Sequence, residues 1–140
     1  GATGEVIWYY RQKLNEELIS KQTHSPYNRG IALGAGHVYM GTLDGKLVAI
    51  DMKTGKTVWG GKQRGAGTGS AAVVYADGKL YFRYQDGIMA LVDASKDGYQ
   101  LDGSFKIPEV SRESWSHPVV AGGKLYLREQ DNLFVYQLAK

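Results

Sequence analysis

The chain has 140 residues, no cysteine, nineteen glycines, ten tyrosines and a formal charge of +3. That length supports one modest domain with its own core, and the lack of cysteine excludes a disulfide framework, a thiolate metal site and a thiol nucleophile. No run approaches the roughly 20 apolar residues that span a bilayer, and the lysines and arginines are scattered rather than gathered on a stripe, so neither a membrane span nor a nucleic-acid partner is expected.

Glycine-rich turns and many Val, Tyr and Leu pairs favour short strands over helices. The opening "GATGEVIWYY" (1–10) reads as an outer strand, because "TGEVIW" (Thr3 to Trp8) nearly repeats "TGKTVW" (Thr54 to Trp59). Next comes a long polar connection, 11–28, in which Leu14, Leu18 and Ile19 fit a short amphipathic turn of helix. Beyond it three segments align: "HVYMGTLDGKLVAIDMKTGKTVW" from His37, "KLYFRYQDGIMALVDASKDGYQLDGSF" from Lys79 and "KLYLREQDNLFVYQLAK" from Lys124. Asp44-Gly45, Asp86-Gly87 and Asp131-Asn132 sit between alternating apolar runs and predict two-residue hairpins with positive φ. Further turns at "GAGH" (34–37), "ADGK" (76–79) and "AGGK" (121–124) follow short inner strands at 31–33, 70–75 and 116–120. Each unit therefore has an inner strand, two middle strands and an outer strand ending near Trp59 or Phe105.

The anchor tyrosines Tyr39, Tyr81 and Tyr126 are spaced by 42 and 45 residues, the length of a four-stranded propeller blade. The fold class is thus all-β, with three four-stranded propeller units: blade one at 28–63, blade two at 64–110 and the inner three strands of the last blade at 111–140. The outer strand that the last unit lacks matches residues 1–10. Since propellers have four to eight blades, strand exchange between copies is expected to close the ring. A homodimer of six blades is the expected state and a homotrimer of nine the alternative; a fragment of a longer propeller remains open beside both. Trp8 and Trp59 occupy the same place in their units and are expected to bury their rings between neighbouring blades.

The stretch "NRGIALGAGHVYMGTLDGKLVAIDMKTGKTVW" (28–59) resembles the first blade of pyrroloquinoline quinone (PQQ) dependent alcohol dehydrogenases. The remainder, with "SWSHPVVAGGKLYLREQDNLFVYQL", is similar to closing blades of PQQ-like repeat proteins, a group related to the outer-membrane assembly lipoprotein propellers. The resemblance implies a periplasmic or extracytoplasmic setting. It also implies that Arg29, the arginine of "NRG", stands where the dehydrogenases contact quinone, a role suited to a bidentate guanidinium. The vicinal disulfide of those enzymes is replaced by Thr23 and His24, and their calcium ligands and catalytic aspartate have no counterpart.

Among other candidates, His24, His37 and His117 match no metal spacing, and Glu16-Glu17 and Glu109 with Glu113 fit solvated loops better than acid–base pairs. "RGAGTGS" (64–70) precedes no helix, so it reads as an inter-blade crossing rather than a phosphate cradle. No catalytic or metal-binding residue and no cofactor is expected. Trp115, Arg29 and His117 are the candidate lining of a pocket. The function read from the chain is a non-enzymatic, self-assembling scaffold or binding module; the alternative is a remnant of a PQQ-dependent alcohol dehydrogenase with residual binding of PQQ and calcium.

Overall fold

The structure is a computed structural model that describes residues 3–13, 17, 20, 28–59, 61–95 and 97–138. The short helix expected around Leu14, Leu18 and Ile19, and the connection carrying Thr23 and His24, lie outside the described residues.

Eleven strands form three antiparallel sheets among the described residues. The first holds β1 (Ile31–Gly34), β2 (His37–Gly41), β3 (Lys46–Asp51) and β4 (Gln63–Arg64) in that order; the second holds β5 (Ala71–Ala76), β6 (Lys79–Tyr84), β7 (Ile88–Asp93) and β8 (Leu101–Lys106). The third has three strands, β9 (Val119–Ala121), β10 (Lys124–Glu129) and β11 (Asn132–Gln137). The inner strands are neighbours, β1 packing on β5 and β5 on β9, so the sheets fan out as propeller blades do.

The turns differ from the sequence reading in where their tight geometry falls. Two-residue loops with positive φ at both positions join β1 to β2 (Ala35, Gly36), β5 to β6 (Asp77, Gly78) and β9 to β10 (Gly122, Gly123), the signature of type I′ hairpins. The loops carrying the aspartates are longer in the first two sheets, running from Thr42 to Gly45 and from Gln85 to Gly87. In the third sheet the turn is Gln130-Asp131, one residue earlier than expected, with positive φ at Gln130. The aspartates are nonetheless engaged. Asp86 accepts hydrogen bonds from Ile88 N at 3.2 Å and from Thr68 N at 2.9 Å. Asp44 accepts from the Thr42 hydroxyl at 2.5 Å, from Lys62 Nζ at 3.0 Å and from Gln12 Nε2 at 3.3 Å. Burial alone would raise the Asp44 carboxyl pKa, but the bonds from Thr42 and Lys62 outweigh it and hold it below its ordinary value.

The outer strand of the first sheet is split. Thr57 bridges Ile50 and Val58 N donates to Ala49 O at 3.0 Å, then the chain bulges before β4 pairs with Lys46 and Leu47. The bulge swings Trp59 into the gap between sheets, where it is 5% exposed. Its ring centroid lies 5.6 Å from that of Tyr39 and 6.0 Å from that of Tyr99, and its Nε1 donates to Ser95 O at 2.8 Å. Around it Leu47, Ala49, Ala71, Val73, Phe82 and Val92 form the first core. Burial, reinforced by Tyr75 and Asp93, pushes the Tyr39 pKa up to about 12, so its hydroxyl remains a donor, 3.2 Å from Ala94 O.

A second core lies between the second and third sheets, built on Tyr81, Met89, Ile107, Leu125 and Leu127. The glycines of "RGAGTGS" admit the crossing between blades: a Cβ at Gly67 would lie 2.3 Å from the Tyr84 ring.

Residues 4–13 form no strand but run along the first sheet, with Trp8, Tyr10 and Gln12 turned toward it and Tyr9, Arg11 and Lys13 exposed. Trp8 Nε1 donates to Met52 O at 2.8 Å, and Lys62 Nζ donates to Lys13 O at 2.9 Å.

Since Trp59 joins two sheets with almost no solvent contact, Trp59→Ala is expected to cost about 3–5 kcal/mol. The half-exposed Trp8 is expected to cost distinctly less on the same substitution. Urea midpoints of the two variants check this ordering; equal losses would contradict it.

Candidate functional site

The candidate residues Arg29, Trp115 and His117 come from opposite ends of the chain, and the fold brings them together. Asn28 sets up the first of them: its Oδ1 accepts from Gly30 N at 2.8 Å, and its Nδ2 donates to Gly41 O at 3.0 Å, fastening the "NRG" turn to the end of β2. Gly30 sits at φ +97°, a conformation that disfavours side chains, and the His117 ring packs against it: a Cβ there would lie 3.3 Å from His117 Cε1. The turn points Arg29 over Trp115, with the guanidinium carbon 4.6 Å from the ring centroid. Such a stack contributes about 0.5–2 kcal/mol, depending on desolvation. Arg29 Nε is buried and has no hydrogen-bond partner among the described residues.

Trp115 is in turn held by Gln85, which sequence reasoning missed. Gln85 Oε1 accepts from Trp115 Nε1 at 3.2 Å and from Ser70 N at 3.2 Å, while its Nε2 donates to Glu113 Oε1 at 3.0 Å. Its backbone is also engaged, since Gln85 N donates to Ser70 O and Ser114 N donates to Gln85 O. The signal available in the sequence was the repeated Gln-Asp pair, Gln85-Asp86 and Gln130-Asp131, where the first unit has Leu43-Asp44.

Beneath this layer Arg83 and Glu129 form an ion pair whose side chains are both 0% exposed. Arg83 Nη2 donates to Glu129 and Nη1 to the Ser114 carbonyl. Glu129 Oε1 also accepts from Gln130 Nε2 at 3.2 Å, and Gln130 Oε1 accepts from Arg112 Nε at 2.8 Å. The network ties the second sheet to the loop 111–116 and to the third sheet. Above it lies an open depression of about 680 Å³ lined by Arg112, Glu113, Ser114, Trp115 and Gln130. It offers a flat ring, a carboxylate and one cationic fork, a lining suited to a planar polar ligand.

The fan of four-stranded antiparallel sheets, with aromatic rings docked between them, defines a segment of a β-propeller. The family profile described as outer membrane protein assembly factor BamB matches residues 1–139, and the chain belongs to this PQQ-like propeller family. It is 31% identical to the quinoprotein ethanol dehydrogenase of Pseudomonas aeruginosa, over 93% of this chain and 21% of that one. It is 33% identical to the quinoprotein alcohol dehydrogenase PedH of Pseudomonas putida, over 89% of this chain and 20% of that one. The chain therefore spans about a fifth of the length of these relatives. Among solved structures, BamB from Moraxella catarrhalis superposes with a TM-score of 0.57 at 16% identity, over 75% of this chain and 29% of that one. A europium-containing methanol dehydrogenase superposes with a TM-score of 0.55 at 24% identity, over 69% and 19%. Both share the fold. No helix of the described residues is long and apolar enough to cross a membrane.

Replacing Gln85 by Leu leaves Trp115 Nε1 and Ser70 N without this acceptor. The variant is expected to lose about 1–3 kcal/mol, read from its urea midpoint, and to shift the tryptophan emission as the ring is released. An unchanged midpoint and spectrum would show that Gln85 does not hold the site.

Proposed function

We propose that this chain is a self-assembling propeller module, a non-enzymatic scaffold or binding unit, in which residues around Gly4 to Tyr10 of one copy complete the third sheet of the next. The observation that carries this reading is a repeated docking contact. Trp59, on the outer strand of the first blade, donates to the carbonyl of Ser95 just past the third strand of the second blade. Trp8 donates to the carbonyl of Met52 just past the third strand of the first blade. The same relation supports reading the segment around Trp8, which forms no strand within its own chain, as the outer strand of a blade that precedes the first sheet. The third sheet has its inner three strands among the described residues, and β11 ends it with Leu133 and Val135 half to two-thirds exposed. An open apolar edge of this kind recruits another strand, and Val6 and Ile7, both largely exposed, offer one. Head-to-tail contacts whose rotation closes form a ring rather than a filament, and a closed pair of copies would give six blades. The family relationship suits an extracytoplasmic setting.

Light scattering after size exclusion tests the assembly. The expected mass is twice the 15.4 kDa of the chain, with three times supporting the nine-bladed ring. Deletion of residues 1–10 is expected to dissolve the defined oligomer into monomer or aggregate. A folded monomer, or an oligomer indifferent to the deletion, overturns the reading.

A second reading rests on the buried Nε of Arg29, without a partner among the described residues, beside the flat face of Trp115: residual binding of the quinone cofactor of the dehydrogenase relatives. Arg29 supplies a fork for a carboxylate, and Trp115 and His117 supply walls. The calcium that accompanies the quinone does not fit as well, since no three His, Asp or Glu among the described residues are grouped to hold a metal ion. When bound, the quinone would supply a two-electron oxidant. Incubation with PQQ, with and without calcium, is expected to leave quinone absorbance co-eluting with the wild type and not with Arg29→Ala. Equal co-elution, or none from either, removes this reading.

A further inference from the structure

We propose that the gap between the second and third sheets is a binding site for a small, neutral, flat aromatic molecule of about the size of indole. The gap is a cavity of about 220 Å³ lined by Tyr81, Met89, Leu91, Phe105, Leu125 and Leu138. Its position in the repeat says what shape it has. In the joint between the first and second sheets, Tyr39 is covered by the Trp59 ring at 5.6 Å. Tyr81 is the counterpart of Tyr39 in the next unit, and Leu91 is the counterpart of Ala49, each ten residues after its tyrosine. Opposite Ala49 stands Val58, followed at once by Trp59. Opposite Leu91 stands Gly103. The second joint thus has the same tyrosine platform, but Gly103 stands where the first has Val58 and Ser104 where the first has Trp59.

Phe105 does not fill the space. It lines one side of the gap, its ring centroid 4.9 Å from that of Tyr136 on the third sheet, and remains 39% exposed. Gly103 is exposed, beside an irregularity in the pairing of β7 with β8, and a Cβ built on it meets nothing within 4 Å. The gap is open along β8, whose six residues are all exposed, and its volume is in proportion to two fused rings. The apolar lining disfavours a charged ligand, whose desolvation would go uncompensated. The joint therefore has the form of a tryptophan socket without its tryptophan.

Calorimetric titration of the full chain with indole is expected to show saturable binding with a dissociation constant at or below about 1 mM. Indole is expected to shift the NMR signals of Tyr81, Met89 and Leu125. Gly103→Trp, which plants an indole in the cavity, is expected to abolish the binding. Gly103→Ala, a minimal change in open space, is expected to weaken it by about fivefold or more, since the added methyl crowds the rings. A wild-type chain that takes up no indole, shifts confined to other residues, or a folded Gly103→Trp that still binds, overturns the site. Should Gly103→Trp fail to fold, undiminished binding by Gly103→Ala overturns it equally.

Discussion

The structure depends on the indole of Trp59 being driven between two sheets. One ring there satisfies three requirements at once: it covers Tyr39 of its own blade, meets Tyr99 of the next, and places its N–H on the carbonyl of Ser95. A sheet that buries apolar side chains on both faces needs partners on both, and the second sheet packs Phe82 and Val92 toward the first and Tyr81 and Met89 toward the third. Fixing the angle between blades is therefore a matter of what fills the wedge between them. An aromatic ring with a polar edge suits that place, because it adds apolar area and has a directional bond to set its orientation.

The second joint is held by different means. Its apolar layer is thinner near the outer strand, where Gly103 leaves space, and the inner end carries the buried pair of Arg83 and Glu129. Desolvating both charges offsets much of their attraction, so such a pair contributes more to alignment than to net stability. The two guanidinium bonds, to Glu129 and to the Ser114 carbonyl, fix the loop 111–116 relative to both sheets. That loop carries Trp115. The polar joint thus positions the candidate site, while the apolar joint holds the first two blades together.

Much of the candidate site was legible, though for unequal reasons. Arg29 stood out because its tripeptide resembles a family motif, Trp115 because it precedes the expected inner strand at 116–120, and His117 because it lies at the start of that strand. Gln85 was passed over because glutamine in a turn reads as solvated. Its role appears only when Ser70, Glu113 and Trp115, fifteen to thirty residues away in the chain, converge on one side-chain amide. The aspartates show the same limit. Turn chemistry described Asp86 in part, through its bond to Ile88 N, but Asp44 is committed to Thr42, Lys62 and Gln12, two of which come from other parts of the chain.

The sequence by itself determined the units: the spacing of Tyr39, Tyr81 and Tyr126, the alternation along each strand, and the glycine in each two-residue turn that permits a type I′ hairpin are local properties, and local sterics enforce them. It did not determine which turn in each unit would be the tight one. The aspartate loops are lengthened by contacts with the adjacent crossing, as Thr68 with Asp86 shows. Only the tertiary structure decided how the blades meet, with Trp59 filling one wedge and Gly103 leaving the other open, because the fit between two sheets depends on volumes contributed by strands far apart in the chain. It also decided that Arg29 would lie over Trp115, since the two residues share a surface only after three sheets have been fanned around common inner strands.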